Sequence, residues 1–81
     1  MSPQELLGLR RAQPFRPFRV VLANGEGYDI RHPELLLVGA REVILGVAAD
    51  PTSRLFERSV FADLLAIVRI EPLGHPQPPQ G

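Results

Sequence analysis

His32-Pro33-Glu34 is the most prominent polar cluster in the sequence, and a histidine near a carboxylate is a pair that general acid–base catalysis uses. Residues two apart in an extended chain lie on the same face, so His32 and Glu34 share one. With Tyr28 and Arg31 they form a candidate interaction or structural motif. The chain offers no cysteine and no Gly-x-Ser-x-Gly nucleophile to accompany the pair. We therefore favour a turn in which Pro33 sets the backbone and Glu34 pairs with an arginine, and we predict no catalytic residue.

The residue types of this chain do not favour the binding of a metal or a cofactor. A protein-bound metal needs three or four donors at suitable spacing, whereas the chain has no cysteine, and His32 and His75 lie far apart. The segment Gly25-Glu26-Gly27 lacks the third glycine of a phosphate-binding loop and joins two predicted strands instead of opening a helix. We therefore expect no metal and no cofactor, and interpret these glycines as a hairpin turn.

All nine basic residues are arginine, and nine acidic residues balance them to a formal charge of zero. Arginines near Phe15, Phe18 and Tyr28 would suit a single-stranded nucleic acid, whose bases stack on aromatic rings. Acidic residues are interspersed with these arginines, however, and binding through counterion release requires clustered positive charge. The charge pattern indicates a mixed, solvated surface, with nucleic-acid binding as the less favoured alternative.

The elements that must position these side chains begin with a helix predicted over residues 2–13. Ser2 suits the N-cap, Pro3 suits the first helical position, and Glu5 completes a capping box with Ser2. Pro14 ends the helix by restricting the residue before it. A helix this short is not stable alone, so we expect its leucines to dock on the rest of the chain.

Alternating and continuous apolar runs predict short strands in the remaining chain. They cover residues 17–23, 27–32, 35–38, 42–48, 55–62 and 66–71. Asn24-Gly25 predicts a tight hairpin turn with both residues in the left-handed region. The run at 35–38 predicts a strand buried on both faces. Residues 55–70 also show helical spacing, which leaves a partly helical segment as the alternative to strand, turn and strand.

Hydrophobic residues make up 44% and charged residues 22% of the 81 positions, which is typical of one small globular domain. We place this domain at residues 1–72 and predict a disordered, proline-rich tail at 73–81. No apolar run approaches the roughly 20 residues that span a bilayer, and the first residues lack the features of a signal peptide. We therefore expect a cytoplasmic protein without a membrane partner.

One helix followed by short strands predicts a mainly β fold, namely a small five-stranded antiparallel barrel or strongly bent sheet with one short N-terminal α-helix. This order of elements resembles the Sm-like and SH3-like barrels. Val20-Val21-Leu22-Ala23-Asn24-Gly25 is similar to an Sm-like strand and turn, and Ile67-Val68-Arg69-Ile70 is similar to the closing strand. The second Sm signature is missing at 62–65, so the resemblance implies no RNA-binding residue.

A second resemblance is to a group of short uncharacterised bacterial proteins. They share Pro-Phe-x-Pro-Phe, Leu-x-x-Gly and His-Pro-Glu, which lie here at 14–18, 22–25 and 32–34. This resemblance supports the expected fold and implies no particular activity.

The predicted strands hold more apolar side chains than one small interior can take, because alternate residues of a barrel strand point outward. Consecutive pairs such as Leu36-Leu37 and Ile44-Leu45 cannot both face that interior. Since monomers seldom expose large apolar patches, we expect a homo-oligomer. The sequence thus predicts a non-catalytic, self-associating interaction module whose protein partner it does not name. The alternative is an Sm-like RNA- or nucleotide-binding small barrel, and an enzyme is favoured least.

Overall fold

The computed structural model describes residues 1–74, which form one α-helix, six β-strands and short connecting turns. The elements are α1 (Pro3–Arg11), β1 (Phe18–Leu22), β2 (Gly27–Ile30), β3 (Leu36–Val38), β4 (Glu42–Ala48), β5 (Phe56–Asp63) and β6 (Ile67–Pro72). The mainly β class with an N-terminal helix is confirmed. From residue 75 onward the predicted tail, together with His75, lies outside the described residues.

The strands form two three-stranded antiparallel sheets, in the orders β2-β1-β6 and β3-β4-β5. The six strands correspond to the six predicted segments and exceed the five of the expected barrel, and no ladder within residues 1–74 joins the two sheets into a closed barrel. The chain crosses between the sheets at two 3-10 turns, Pro33–Leu35 and Leu64–Ala66. Pro33 has no N–H to continue a ladder, and the Asp63 carboxylate accepts the Leu65 N–H at 2.8 Å. Each turn therefore ends one sheet before the other begins.

The hydrophobic core lies between the sheets and beside the helix. Leu36 on β3 and Leu45 on β4 are fully buried, whereas their chain neighbours Leu37 and Ile44 pair with each other on the opposite face. This confirms that such consecutive apolar pairs divide between two faces. The expectation of a strand buried on both faces at 35–38 is wrong, because the outer face of this sheet is uncovered and Leu37 is 55% exposed.

The N-terminal helix forms with the predicted capping box and ends at Arg11, two residues earlier than predicted. The Ser2 hydroxyl accepts the Glu5 N–H at 3.2 Å, and the Ser2 N–H donates to the Glu5 carboxylate at 3.1 Å. Leu6 is fully buried in the core, and Arg10 Nε donates to the Leu36 carbonyl at 2.7 Å. The helix is thus docked against β3. It is too short to cross a membrane, and α1 is the only α-helix in the described part of the chain.

The first hairpin differs from the predicted turn in one respect. Gly25 has φ +90°, but Asn24 stays outside the left-handed region. The Gly25 N–H donates to the Leu22 carbonyl at 2.9 Å, and the Leu22 N–H donates to the Glu26 carbonyl at 2.8 Å. These two hydrogen bonds define a turn over residues 22–25 that ends in a single left-handed glycine. This arrangement is common in hairpins whose loops are longer than two residues. Asn24 contributes to the turn through its side chain, which accepts the Glu26 N–H at 2.9 Å, and not through a left-handed backbone.

Residues 56–72 form strand, turn and strand, which confirms the favoured interpretation of this segment. β5 contains an irregularity that the sequence does not reveal. Val47 pairs with Arg58 while the next residue, Ala48, pairs with Phe56, so Glu57 is an extra residue in the strand. A bulge of this kind shifts the alternation of the strand, so side chains on either side of it exchange the faces that simple alternation gives them. As a result Phe56 lies on the same face as Phe61, where simple alternation separates the two.

Candidate functional site

The predicted motif at 28–34 is divided between the end of β2 and the first 3-10 turn. His32 and Glu34 do not bond to each other: the His32 carbonyl accepts the Leu35 N–H at 3.0 Å, and Glu34 accepts from Arg54 at 3.0 Å. His32 Nε2 is buried without a hydrogen-bond partner in the described residues. Pro33 opens the turn. The turn interpretation accounts for these contacts, and the acid–base arrangement is not assembled.

Glu34 carries a lowered pKa that follows from this geometry. Its own backbone N–H stabilises the carboxylate, and the Arg54 guanidinium adds a hydrogen bond and a positive charge. Both effects favour the charged form. Glu34 therefore acts as the anionic partner of an arginine 20 residues away and not as a proton donor near neutral pH.

Tyr28 and Arg31, the other two predicted residues, line a cleft of about 600 Å³ beside the free edge of β2. Four arginines surround it, so we call it the arginine cleft: Arg19, Arg31, Arg58 and Arg69. Its first wall is the outer face of the β2-β1-β6 sheet, and its second is formed by residues 46–51 together with Arg58. The two sheets come together to form this cleft, and no single sequence segment contains it.

An alternating chain of charges crosses the first wall from strand to strand. Arg19 Nε donates to Asp29 at 2.7 Å, and Arg31 lies 3.6 Å from the other oxygen of the same carboxylate. Arg69 Nε donates to Glu71 at 2.7 Å, and Arg19 reaches that carboxylate at 3.8 Å. Asp29 raises the pKa of Arg19 above its usual value. The two carboxylates thus hold three guanidinium groups in a row.

Tyr28 lines the arginine cleft, and its hydroxyl donates to Glu26 at 3.2 Å. Burial raises the pKa of Tyr28 above its usual value, and the charge and hydrogen bond of Glu26 add to the rise. Arg58, on the opposite wall, opposes it. The pKa of Tyr28 therefore depends on charges on both sides of the cleft.

The outer face of the β3-β4-β5 sheet carries an uncovered apolar surface, which we call the apolar face. Leu37, Ile44 and Phe61 lie in cross-strand register, and Phe56 lies further along the same face. Leu37, Phe56 and Phe61 are each more than half exposed. Gly46 allows Phe56 to lie close to the β4 backbone, because a Cβ there would stand 3.0 Å from the Phe56 Cβ.

No group of three metal-ligating side chains comes together among residues 1–74. Comparisons with protein-family models, curated proteins and solved structures found no match to this chain. The resemblances drawn from short motifs stay predictions.

Sequence reasoning found Tyr28 and Arg31 but missed the residues that face them. Arg58 and Arg69 lie more than 25 positions further along the chain and reach the cleft only because β6 pairs with β1 and β5 pairs with β4. The Arg54 partner of Glu34 was predicted only as an unspecified arginine. One local signal was available: alternation places Arg19 opposite Asp29 across the first hairpin.

Proposed function

We propose that this protein is a non-catalytic assembly module whose apolar face packs against the same face of a second copy. The observation that supports this is the exposure of Leu37, Phe56 and Phe61 on one sheet surface, at 55%, 56% and 64%. Two sheets packed face to face bury such side chains in a layer about 10 Å thick. A two-fold arrangement uses the same patch on both chains and leaves none uncovered.

The two ends of the apolar face differ in their charged residues, which favours a second copy as its partner: one end is acidic, and the other holds Arg54, which is paired with Glu34. Glu42 and Asp63 stand directly opposite each other at one end, and like charges in that position destabilise a sheet. Arg54 lies two residues before Phe56 at the other end, and it makes one described hydrogen bond, to Glu34. In an antiparallel two-fold pair the acidic end of each chain meets Arg54 of the other.

The experiment measures the mass of the full chain in solution by sedimentation equilibrium. We expect twice the mass of one chain at micromolar concentration. Leu37→Glu places a charge within the buried layer, so this variant should sediment as a single chain. Leu65→Glu is the matched control because Leu65 is 86% exposed in the turn after β5, outside the apolar face. This variant should remain paired.

Leu65→Glu should melt close to the parent temperature, whereas Leu37→Glu should melt lower because it loses the stability that pairing supplies. A cooperative melting curve checks that both variants are folded. A parent protein that stays a single chain over the whole concentration range contradicts the proposal. Equal dissociation of the Leu37→Glu and Leu65→Glu variants contradicts the choice of face. Nucleic acid retained through purification would instead support the RNA- or nucleotide-binding alternative.

A further inference from the structure

The arginine cleft presents guanidinium donors that its own carboxylates do not use. Arg19 and Arg69 each bind a carboxylate through Nε at 2.7 Å. Within residues 1–74 their terminal nitrogens make no hydrogen bond, and neither Arg31 nor Arg58 makes any side-chain hydrogen bond. A guanidinium group carries five N–H donors, four of them on the terminal nitrogens. Asp29 and Glu71 therefore orient Arg19, Arg31 and Arg69 but leave terminal N–H groups without a hydrogen bond, and Arg58 has no carboxylate partner in the described residues.

Three of the four guanidinium groups stand in a row on neighbouring strands. Arg31 follows β2, Arg19 lies on β1 and Arg69 lies on β6, in the order in which these strands are paired. Neighbouring strands are about 4.8 Å apart. Because Arg69 pairs with Val21 and Arg31 follows the Ile30–Phe18 pair, the row crosses the sheet diagonally and its Cα atoms extend over more than about 10 Å. Arg58 approaches from the opposite wall. Asp29 is shared by Arg19 and Arg31, and Glu71 by Arg19 and Arg69, which draws the three guanidinium groups together into a set of donors longer than one tetrahedral oxyanion.

We propose that the arginine cleft binds the diphosphate group of a small molecule, with Arg19, Arg31 and Arg69 along one side of the group and Arg58 on the other. Guanidinium groups bind phosphate oxygens through paired, charge-assisted hydrogen bonds. The cleft volume of about 600 Å³ falls in the range of small-molecule sites, about 300–1,000 Å³. A nucleoside diphosphate has this size and this charge.

The charge of the cleft favours a compact ligand over a nucleic-acid strand. Its four arginines are offset by Asp29, Glu71 and Asp50, and Glu26 lies beside Tyr28. Asp50 is directed toward its own loop, where it accepts from the Thr52 N–H at 2.9 Å and the Thr52 hydroxyl at 2.6 Å. Binding of a polyanion depends on many uncompensated positive charges. Hydrogen bonds between a few guanidinium groups and a small diphosphate do not depend on such an excess of positive charge.

Gly27 contributes to the position of Arg19. A Cβ on Gly27 would stand 2.8 Å from Cδ of Arg19, which therefore lies across the glycine on its way to Asp29. Gly27→Ala should move this side chain off the row without disturbing the core, because the contact involves a flexible side chain at the surface. The glycine thus acts as a positioning residue.

The test titrates the full chain with pyrophosphate and measures heat by calorimetry and Tyr28 fluorescence, since the chain has one tyrosine and no tryptophan. We expect saturable binding, with inorganic phosphate and malonate each at least tenfold weaker. Arg58→Gln should weaken pyrophosphate binding at least tenfold. Its melting temperature should stay unchanged because this side chain makes no described ion pair. Gly27→Ala should weaken binding severalfold.

Arg41→Gln is the matched control, because Arg41 is exposed in the turn before β4 and lies outside the arginine cleft. It should bind pyrophosphate as the parent does. Absence of saturable binding at millimolar pyrophosphate overturns the proposal. Equal weakening by Arg41→Gln and Arg58→Gln also overturns it, as does malonate binding as tight as pyrophosphate binding. Tighter binding of a thymidine oligonucleotide than of pyrophosphate would assign the cleft to nucleic acid instead. The apolar face is not involved, so the outcome is independent of self-association.

Discussion

At the scale of single residues, Tyr28 contacts both the hydrophobic core and the arginine cleft. Its ring packs against the hydrophobic core, while its hydroxyl reaches Glu26 at the surface. Burial and the neighbouring carboxylate both disfavour the phenolate, so the pKa of Tyr28 lies above its usual value. Arg58 acts in the opposite sense. Tyr28 is therefore a natural spectroscopic probe of the charges around it.

We predict that the alkaline titration of this single tyrosine, followed by tyrosinate absorbance, has a midpoint above the usual value of about 10. Glu26→Gln should lower the pKa of Tyr28 and Arg58→Gln should raise it, whereas Glu42→Gln, far from the ring, should leave it unchanged. The raised pKa stabilises the fold below the unfolded-state pKa, and this contribution is lost as the pH rises through the folded-state pKa. A midpoint that Glu26→Gln does not move would contradict this account.

At the scale of elements, the first hairpin has a local physical cause. Leu22 bonds to both Gly25 and Glu26, while Asn24 holds the loop through its side chain. Within this hairpin, Gly25 alone takes a left-handed conformation, with φ +90°. A Cβ at this glycine would meet nothing within 4 Å. Glycine is therefore required here by the backbone conformation and not by a lack of space.

We predict that Gly25→Val lowers the free energy of unfolding by about 1–2 kcal/mol, the cost of a left-handed conformation for a residue with a side chain. Gly25→Asn is the matched control, because asparagine tolerates this region and should cost less. Chemical denaturation measures both variants. Equal losses for valine and asparagine would show that the left-handed backbone does not determine the effect.

At the scale of the whole molecule, the two sheets are held together by their shared core and by α1. Leu6 is fully buried in that core, and Arg10 bonds to the backbone of β3. Met1 and Glu5 lie beside Ile67 and Ile70 on the other sheet. The helix therefore covers the side of the molecule where β3 and β6 would otherwise leave the core open.

We predict that deletion of residues 1–13 lowers the melting temperature or causes aggregation, because it removes Leu6 and uncovers the apolar surface beneath it. Loss of one buried leucine side chain alone costs about 2–5 kcal/mol, a large part of the stability of so small a domain. Arg10→Gln, which removes only the hydrogen bond to Leu36, should cost much less. Thermal melting and light scattering measure both; a deletion variant as stable and soluble as the parent would disprove the prediction.

The features that sequence reasoning predicted correctly depend on residues close together in the chain. The capping box joins Ser2 to Glu5, and alternation divides Leu36 from Leu37; each involves contacts within a turn or along one strand. Such contacts form between near neighbours wherever the rest of the chain goes. The mainly β class, the helix start and the division of residues 56–72 follow from them.

The number of sheets, the bulge in β5 and the arginine cleft required the tertiary structure. The ladder between β1 and β6 joins residues about 50 positions apart, and the extra residue Glu57 reflects the register of β5 against β4. Arg58 and Arg69 reach Tyr28 and Arg19 only after both sheets have formed. Strand register is decided by which apolar side chains the whole core can bury together. That balance is a property of the assembled molecule, and no local motif encodes it.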